Sequence, residues 1–307
     1  MSTVDFDQYR LNRLNRPEDF RSGFDVQKTI EKLSEVPGIN LPINKKQKKA
    51  LSQSLQNATV GSPLTIYVGS CPDYSHNNGL YTHENVGSGV PLLTRVHADI
   101  DKNLLMSLDS SNIPYEYVVM VADIEAIDEV FCNKFTQGSR EEFMARCMAS
   151  SQASHQYLDN LAQENGLKGK VRGSSFFAEF GFEKFIQLQE QYTTVLDERY
   201  TTDDSFRMRV NSDIVKRMQM YNKMYDTVLP SLDYKARQDF LVSRDIRTKA
   251  QYLALGKAII DKTKHSLVIN HPTTNVGLIN DRGKFQLPSD PTCYDAVPVF
   301  EIHQKVY

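Results

Sequence analysis

Ser70 and Cys71, two small side chains able to act as nucleophiles, stand between Gly69 and Pro72 directly after the apolar run Leu64-Thr-Ile-Tyr-Val68. A thiolate attacks electrophilic carbon readily, and a serine hydroxyl does so beside a base, so the chemistry on offer is covalent catalysis. The β-branched run reads as a strand, and the Gly/Pro turn puts the pair at its carboxyl end. In open α/β sheets the ligand crevice lies outside those ends. Consecutive strand residues point to opposite sides, so one of the pair faces a substrate and the other does not. Without such a role Cys71 is a small buried hydrophobe at a strand end. A second run, Tyr115-Glu-Tyr-Val-Val-Met-Val121, is followed by Asp123 and Glu125. Those acids suit ribose hydroxyls or an amino group, or they merely close a strand beside solvent.

The elements that must position these groups are legible in the hydrophobic spacing. Residues 1–25 are polar and aperiodic and read as an N-terminal arm, with a single catalytic domain expected over 26–307. Helical spacing runs over about 26–35, and again where Lys45-Lys46-Gln47-Lys48-Lys49 leads into Leu51 and Leu55. From Cys71 to Val90 the chain is a long Gly-, His-, Asn- and Ser-rich loop. Loops of that length inside a domain are usually functional or disordered. Gly69, Tyr74 and His76 are therefore expected to meet substrate. Gly87-Ser88-Gly89-Val90-Pro91 then precedes a crossover helix, where free backbone N–H groups could hold an anion. On that helix His97, Asp99 and Asp101 are expected to form a solvated face.

The crossover makes a right-handed βαβ unit. Ser139-Arg140-Glu141-Glu142 looks like a capped helix start, with the helix running to about Asn165. A short strand is expected near 170–177, helices over 180–262 with breaks at Asp203-Asp204 and Pro230, and strands over 264–269 and 297–302. The fold class is thus α/β: a Rossmann-like, mainly parallel sheet with helices on both faces and a helical insertion.

Composition narrows the partners. A formal charge of −2 excludes a globally basic nucleic-acid binder, and no DNA partner is expected. Cys71, Cys132, Cys147 and Cys293 show neither CxxC pairing nor zinc spacing, which suits free thiols and predicts no metal. The polar N-terminus and the lack of a long apolar stretch predict no membrane partner and a cytoplasmic protein. Arg207, Lys216, Arg217 and Lys223 recur along one helical segment and are expected on or beside one exposed face. Such a face suits RNA phosphates, or is simply solvated.

The Gly-Ser-Cys-Pro turn, the crossover helix and the strand ending in Val-Ala-Asp-Ile-Glu-Ala126 resemble the core of class I tyrosyl-type aminoacyl-tRNA synthetases. The ATP-handling His-x-Gly-His and Lys-Met-Ser-Lys-Ser-like elements of those enzymes are missing here. Cyclodipeptide synthases share that fold without needing ATP, and Gly69-Ser70-Cys71-Pro72 is similar to their Gly-x-Ser-Pro-like turn, with Cys71 at the serine's place. Their Tyr-x-x-x-Glu pair matches Tyr252, with Gly256 in place of the glutamate. Their Tyr-His pair matches Tyr294, with Asp295 in place of the histidine.

The resemblance implies aminoacyl-tRNA as substrate, no cofactor, and a cyclic dipeptide formed through an acyl-enzyme. Cys71 or Ser70 would be the nucleophile. Tyr252 or Tyr294 would assist proton transfer, and Asp123 or Glu125 would hold the substrate ammonium. Two other readings stay open on the sequence: a Rossmann-like methyltransferase or other small-molecule transferase, and a non-catalytic synthetase-like RNA-binding protein. Nothing in the sequence specifies the oligomeric state.

Overall fold

The structure, a computed structural model, describes residues 25–36, 39–40, 45–70, 72, 89–130, 132, 139–263, 265–270 and 299–302. Its strands are β1 (Ile39–Asn40), β2 (Leu64–Ser70), β3 (Tyr115–Val121), β4 (Lys170–Ser175), β5 (Ser266–Asn270) and β6 (Val299–Ile302). They form one six-stranded sheet in the spatial order β1-β6-β5-β2-β3-β4. β6, β5, β2, β3 and β4 run parallel, and β1 pairs antiparallel with β6. The helices are α1 (Val26–Ser34), α2 (Lys45–Asn57), α3 (Leu92–Ser110), α4 (Arg140–Glu164), α5 (Phe176–Phe180), α6 (Phe182–Thr202), α7 (Asp204–Met224) and α8 (Tyr234–Lys262).

Parallel strands covered on both faces read as continuous apolar runs, and β2 and β3 do so for that reason. One face of β2 packs Leu64, Ile66 and Val68 with Leu33 of α1 and Leu104, Leu105 and Leu108 of α3. The other presents Tyr67 to Phe176 and Phe180 of α5, Phe185 of α6 and Ala254 and Ala258 of α8. Burying each aliphatic side chain contributes roughly 1.5–3 kcal/mol, against a span of about 1 kcal/mol for strand propensity. Two-sided burial therefore decides the strands. The expected pairing of the two runs is observed, from Leu64 opposite Tyr115 to Ser70 opposite Val121.

The helix boundaries follow their caps. Ser139 Oγ accepts from Glu142 N at 3.0 Å, Asp203 Oδ1 from Phe206 N at 3.0 Å and Asp233 Oδ1 from Ala236 N at 2.8 Å. Pro230 falls in a 3₁₀ turn, Leu229–Ser231, which separates α7 from α8. The helical insertion has its own core, in which Leu196, Phe206, Val210, Leu241 and Ile246 pack together. β1 was not expected; two residues carry too little periodicity to register.

Two expectations are overturned. Arg217 is not on an exposed face: it is 1% exposed, with Nη1 2.8 Å from Asp245 Oδ1. Lys249 Nζ lies 2.8 Å from both Asp245 and Asp213, and Tyr221 donates to Asp245 at 3.2 Å. These groups tie α7 to α8. Helix geometry gives the physical reason, since position 217 falls at i, i+4, i+7, i+11 spacing with the buried Val210, Ile214 and Tyr221, on the stripe that α7 turns inward. Arg207 is half-buried and paired with Asp204 in its own helix. The side chains of Lys216 and Lys223 lie outside the described part of the structure.

The second correction concerns α3. Asp99 is exposed as expected, but His97 and Asp101 are buried. They lie on the face turned to the sheet, where Tyr117 of β3 donates to Asp101 at 2.5 Å. Burial raises the Asp101 carboxyl from 3.8 to about 7, against the lowering effect of that hydrogen bond.

Candidate active site

Strand order locates the crevice. β3 and β4 lie to one side of β2, while β5 and β6 lie to the other. The winding reverses beside β2, which makes its carboxyl end the switch point where α/β sheets bind ligands. Gly69 and Ser70, the last residues of β2, stand there. Ser70, Val121 and Ser175 stand in register across the ends of β2, β3 and β4. Ala122 N donates to Ser70 O at 2.8 Å, so the acids that follow β3 start beside the end of β2.

Gly69 and Ser70 look to opposite sides. A Cβ at Gly69 would meet the Phe176 ring at 3.9 Å, so the glycine leaves a shallow hollow against an aromatic wall. Ser70 turns towards the helices: it is 1% exposed, and its Oγ lies 2.9 Å from Thr94 Oγ1 of α3. Thr94 in turn lies 3.4 Å from Ser154 Oγ of α4, and Ser154 donates to Ser150 O at 2.7 Å.

The acids after β3 occupy a 3₁₀ turn, Asp123–Ile127. Asp123 is buried, and its two oxygens accept from Phe177 N at 3.1 and 3.4 Å. The Ser175 hydroxyl also bonds it, so this carboxylate serves the start of α5. Burial raises it from 3.8 to about 6 against those hydrogen bonds. Glu125 is half-buried; desolvation first, and then the neighbouring Asp128 charge, raise it from 4.5 to about 7. A carboxyl that exchanges its proton near neutrality suits acid–base work. Asp128 itself is anchored to the helical insertion, accepting from Tyr225 at 2.6 Å and pairing with Arg244 at 2.9 Å.

The strongest electrostatic feature of this region was not anticipated. Glu179 of α5 is 7% exposed and accepts from both terminal nitrogens of Arg172, Nη1 and Nη2, at 2.8 and 2.9 Å. Lys262 pairs with it at 2.7 Å, Ser174 donates at 3.1 Å and Tyr67 at 3.5 Å. Arg172 also bonds Glu116 at 2.7 Å. Burial opposes ionisation, but Arg172 and Lys262 outweigh it and hold Glu179 at about 2. The same burial, together with the Glu179 charge, keeps Tyr67 protonated far above its ordinary range. The sequence signal was an acid inside the aromatic run Phe176-Phe177-Ala178-Glu179-Phe180, because a charge among rings is buried only with partners.

The structure thus brings Gly69, Ser70, Asp123 and Glu125 to one end of the sheet. Tyr252 stands half-buried on α8, four residues before the buried Gly256. Cys71, Tyr74, His76 and Tyr294 lie outside the described residues. Among the described residues, no three His, Cys, Asp or Glu side chains converge as a metal site, and no helix is long and apolar enough to cross a membrane.

No family model and no curated protein sequence matches the chain. Among solved structures, a cyclodipeptide synthase from Bacillus thermoamylovorans is similar, with a TM-score of 0.42 and 11% identity over 90% of this chain and 100% of that one.

Proposed function

We propose that the chain is an acyl transferase that takes aminoacyl groups from tRNA and joins two of them into a cyclic dipeptide. The observation that supports the reading is that β2 ends at Ser70, the residue before Cys71, at the topological switch point, with Glu125 raised to about 7 in the 3₁₀ turn after the neighbouring β3. The nucleophile, Cys71 or Ser70, attacks the ester carbonyl of an aminoacyl-tRNA. An acyl-enzyme forms, and the tRNA 3′-oxygen leaves with the proton the nucleophile gives up. The amine of a second aminoacyl group attacks the acyl-enzyme, which makes a peptide bond and frees the nucleophile. The first residue's amine then attacks the remaining ester, closes the ring and releases the second tRNA. Activation energy is already stored in the esters, so no step calls for ATP.

Glu125 is the carboxyl suited to hold the substrate ammonium and to take its proton before attack. Asp123 is less suited, since α5 already occupies its oxygens. Tyr252 and Tyr294 remain the tyrosines assigned to proton transfer.

Incubation with a mixture of aminoacyl-tRNAs, followed by mass spectrometry for diketopiperazines, tests the reading. A cyclic dipeptide that disappears with Cys71→Ala/Ser70→Ala is expected. No product with any of the amino acids would sink it.

A further inference from the structure

Resting on the acyl-transfer reading, we propose that Asp128, clasped by Tyr225 and Arg244 of the helical insertion, is the positioning residue for Glu125. The insertion then serves the reactive end of the sheet. Glu125 lies in the 3₁₀ turn and Asp128 closes it, with Asp128 N donating to Glu125 O at 3.0 Å. Side chains at that spacing eclipse in a 3₁₀ turn, so the two carboxyls leave it on the same side. One Asp128 oxygen accepts from Val130 N at 3.1 Å, which serves the local chain. The other gathers groups from outside it: the Tyr225 hydroxyl donates at 2.6 Å, and Arg244 Nη1 pairs at 2.9 Å.

The insertion holds both partners firmly. Tyr225 closes α7 and meets the Phe240 ring of α8 edge to face, with centroids 5.1 Å apart. Arg244, one turn further along α8, lies 4.9 Å from the Phe240 ring and 5.6 Å from the Tyr225 ring. Stacking against aromatic rings fixes where a planar guanidinium points.

The turn packs on α4 and α5, and the other ionisable groups they bring are paired or neutral. From α4, Arg140 donates to Ala126 O at 3.0 Å and pairs with the exposed Glu129 at 3.1 Å. Cys132 donates to Glu125 O at 3.6 Å, and burial pushes its thiol up to about 12. Burial likewise keeps Cys147 of α4 protonated. On α5, Glu179 is paired with Arg172 and Lys262, while Asp123 of the turn itself accepts from Phe177 N. After desolvation, the Asp128 charge is what raises Glu125. A like charge disfavours ionisation and a cation favours it, so Asp128 and Arg244 act on Glu125 in opposite senses.

The test follows the Glu125 carboxyl by NMR of protein isotope-labelled at the glutamate side-chain carboxyls, with Glu125→Gln assigning the signal. Asp128→Asn should lower its midpoint by about one pH unit, because the like charge goes while Arg244 stays. Arg244→Gln should raise it, because the Asp128 carboxylate loses its cation. The acid limb of cyclic-dipeptide formation should move with the midpoint in each variant, since Glu125 must be ionised to hold an ammonium. A residue that only braces the fold would lower the plateau and leave both pH values in place. Midpoints that stay put, or that move the same way in the two variants, overturn the proposal. Should either variant fail to fold, Tyr225→Phe keeps the ring packing and removes only a donor to Asp128. An upward shift there upholds the proposal, and no shift overturns it. Should wild type make no cyclic dipeptide, the acyl-transfer reading falls, and the midpoints alone uphold or overturn the control of Glu125 by Asp128.

Discussion

Glu179 is a carboxylate ringed by phenyl groups, and two cations from different elements keep it charged: Arg172 from β4 and Lys262 from the last turn of α8. Removing one partner of such a cluster leaves the other buried and uncompensated, which is usually more damaging than replacing the whole cluster with apolar groups. Glu179→Gln should cost about 3 kcal/mol at neutral pH. The pH dependence identifies the cause. A depressed carboxyl contributes stability above its unfolded value near 4.5, and that contribution is lost as pH falls through about 2. Urea unfolding at pH 7 and near pH 2 should therefore show a deficit that largely closes at the acid end. An equal deficit at both would mean lost packing. The end of β2 at Ser70 could be read from residue types alone, because a β-branched run gives way there to glycine, two small polar side chains and proline. Glu179 could not, since its partners are separated from it by 7 and 83 residues and only the fold unites them.

At the scale of elements, caps and two-sided apolar runs were readable because they are local, and the β2–β3 pairing followed from them. What escaped was which side of a helix meets another helix. The cations of α7 suggested a surface face, yet Arg217 points at α8 and pairs with Asp245, twenty-eight residues away. His97 and Asp101 likewise looked solvated until α3 was laid on the sheet. Close approach of backbones is equally silent in sequence. At Gly173 an added Cβ would stand 2.4 Å from Ser151 O and 2.5 Å from His155 N, so β4 and α4 touch main chain to main chain. Gly173→Ala must push α4 from the edge of the sheet, and a loss of about 2–4 kcal/mol is expected by analogy with other overpacked sites. Gly61→Ala is the control, since nothing lies within 4 Å of the added atom there. Chemical denaturation should separate the two clearly, and equal midpoints would deny the backbone contact.

At the scale of the whole molecule, burial lets three of the described carboxyls keep their protons to higher pH. Burial raises Asp101 to about 7, Asp123 to about 6 and Glu125 to about 7. In the unfolded chain these groups ionise near 4, so between about pH 4 and 7 the native state holds more protons than the unfolded one. Stability must then fall as pH rises through that window, by up to about 1.4 kcal/mol per pH unit for each group, and level off above it. Glu179 acts in the opposite sense, but its contribution is complete by about pH 4.5. The stability maximum is therefore expected on the acid side of neutrality, near pH 4–5. Asp101 is the cleanest probe, being 0% exposed, bonded by Tyr117 and set under α3 away from the carboxyl end of β2. Asp101→Asn is neutral at every pH, so its gap to wild type should shift in its favour between pH 5 and pH 8, by about 2–4 kcal/mol. Parallel stability curves across that range would show that Asp101 titrates alike in both states. The decline with pH would then have to come from other carboxyls raised by burial, Asp123 and Glu125 among them.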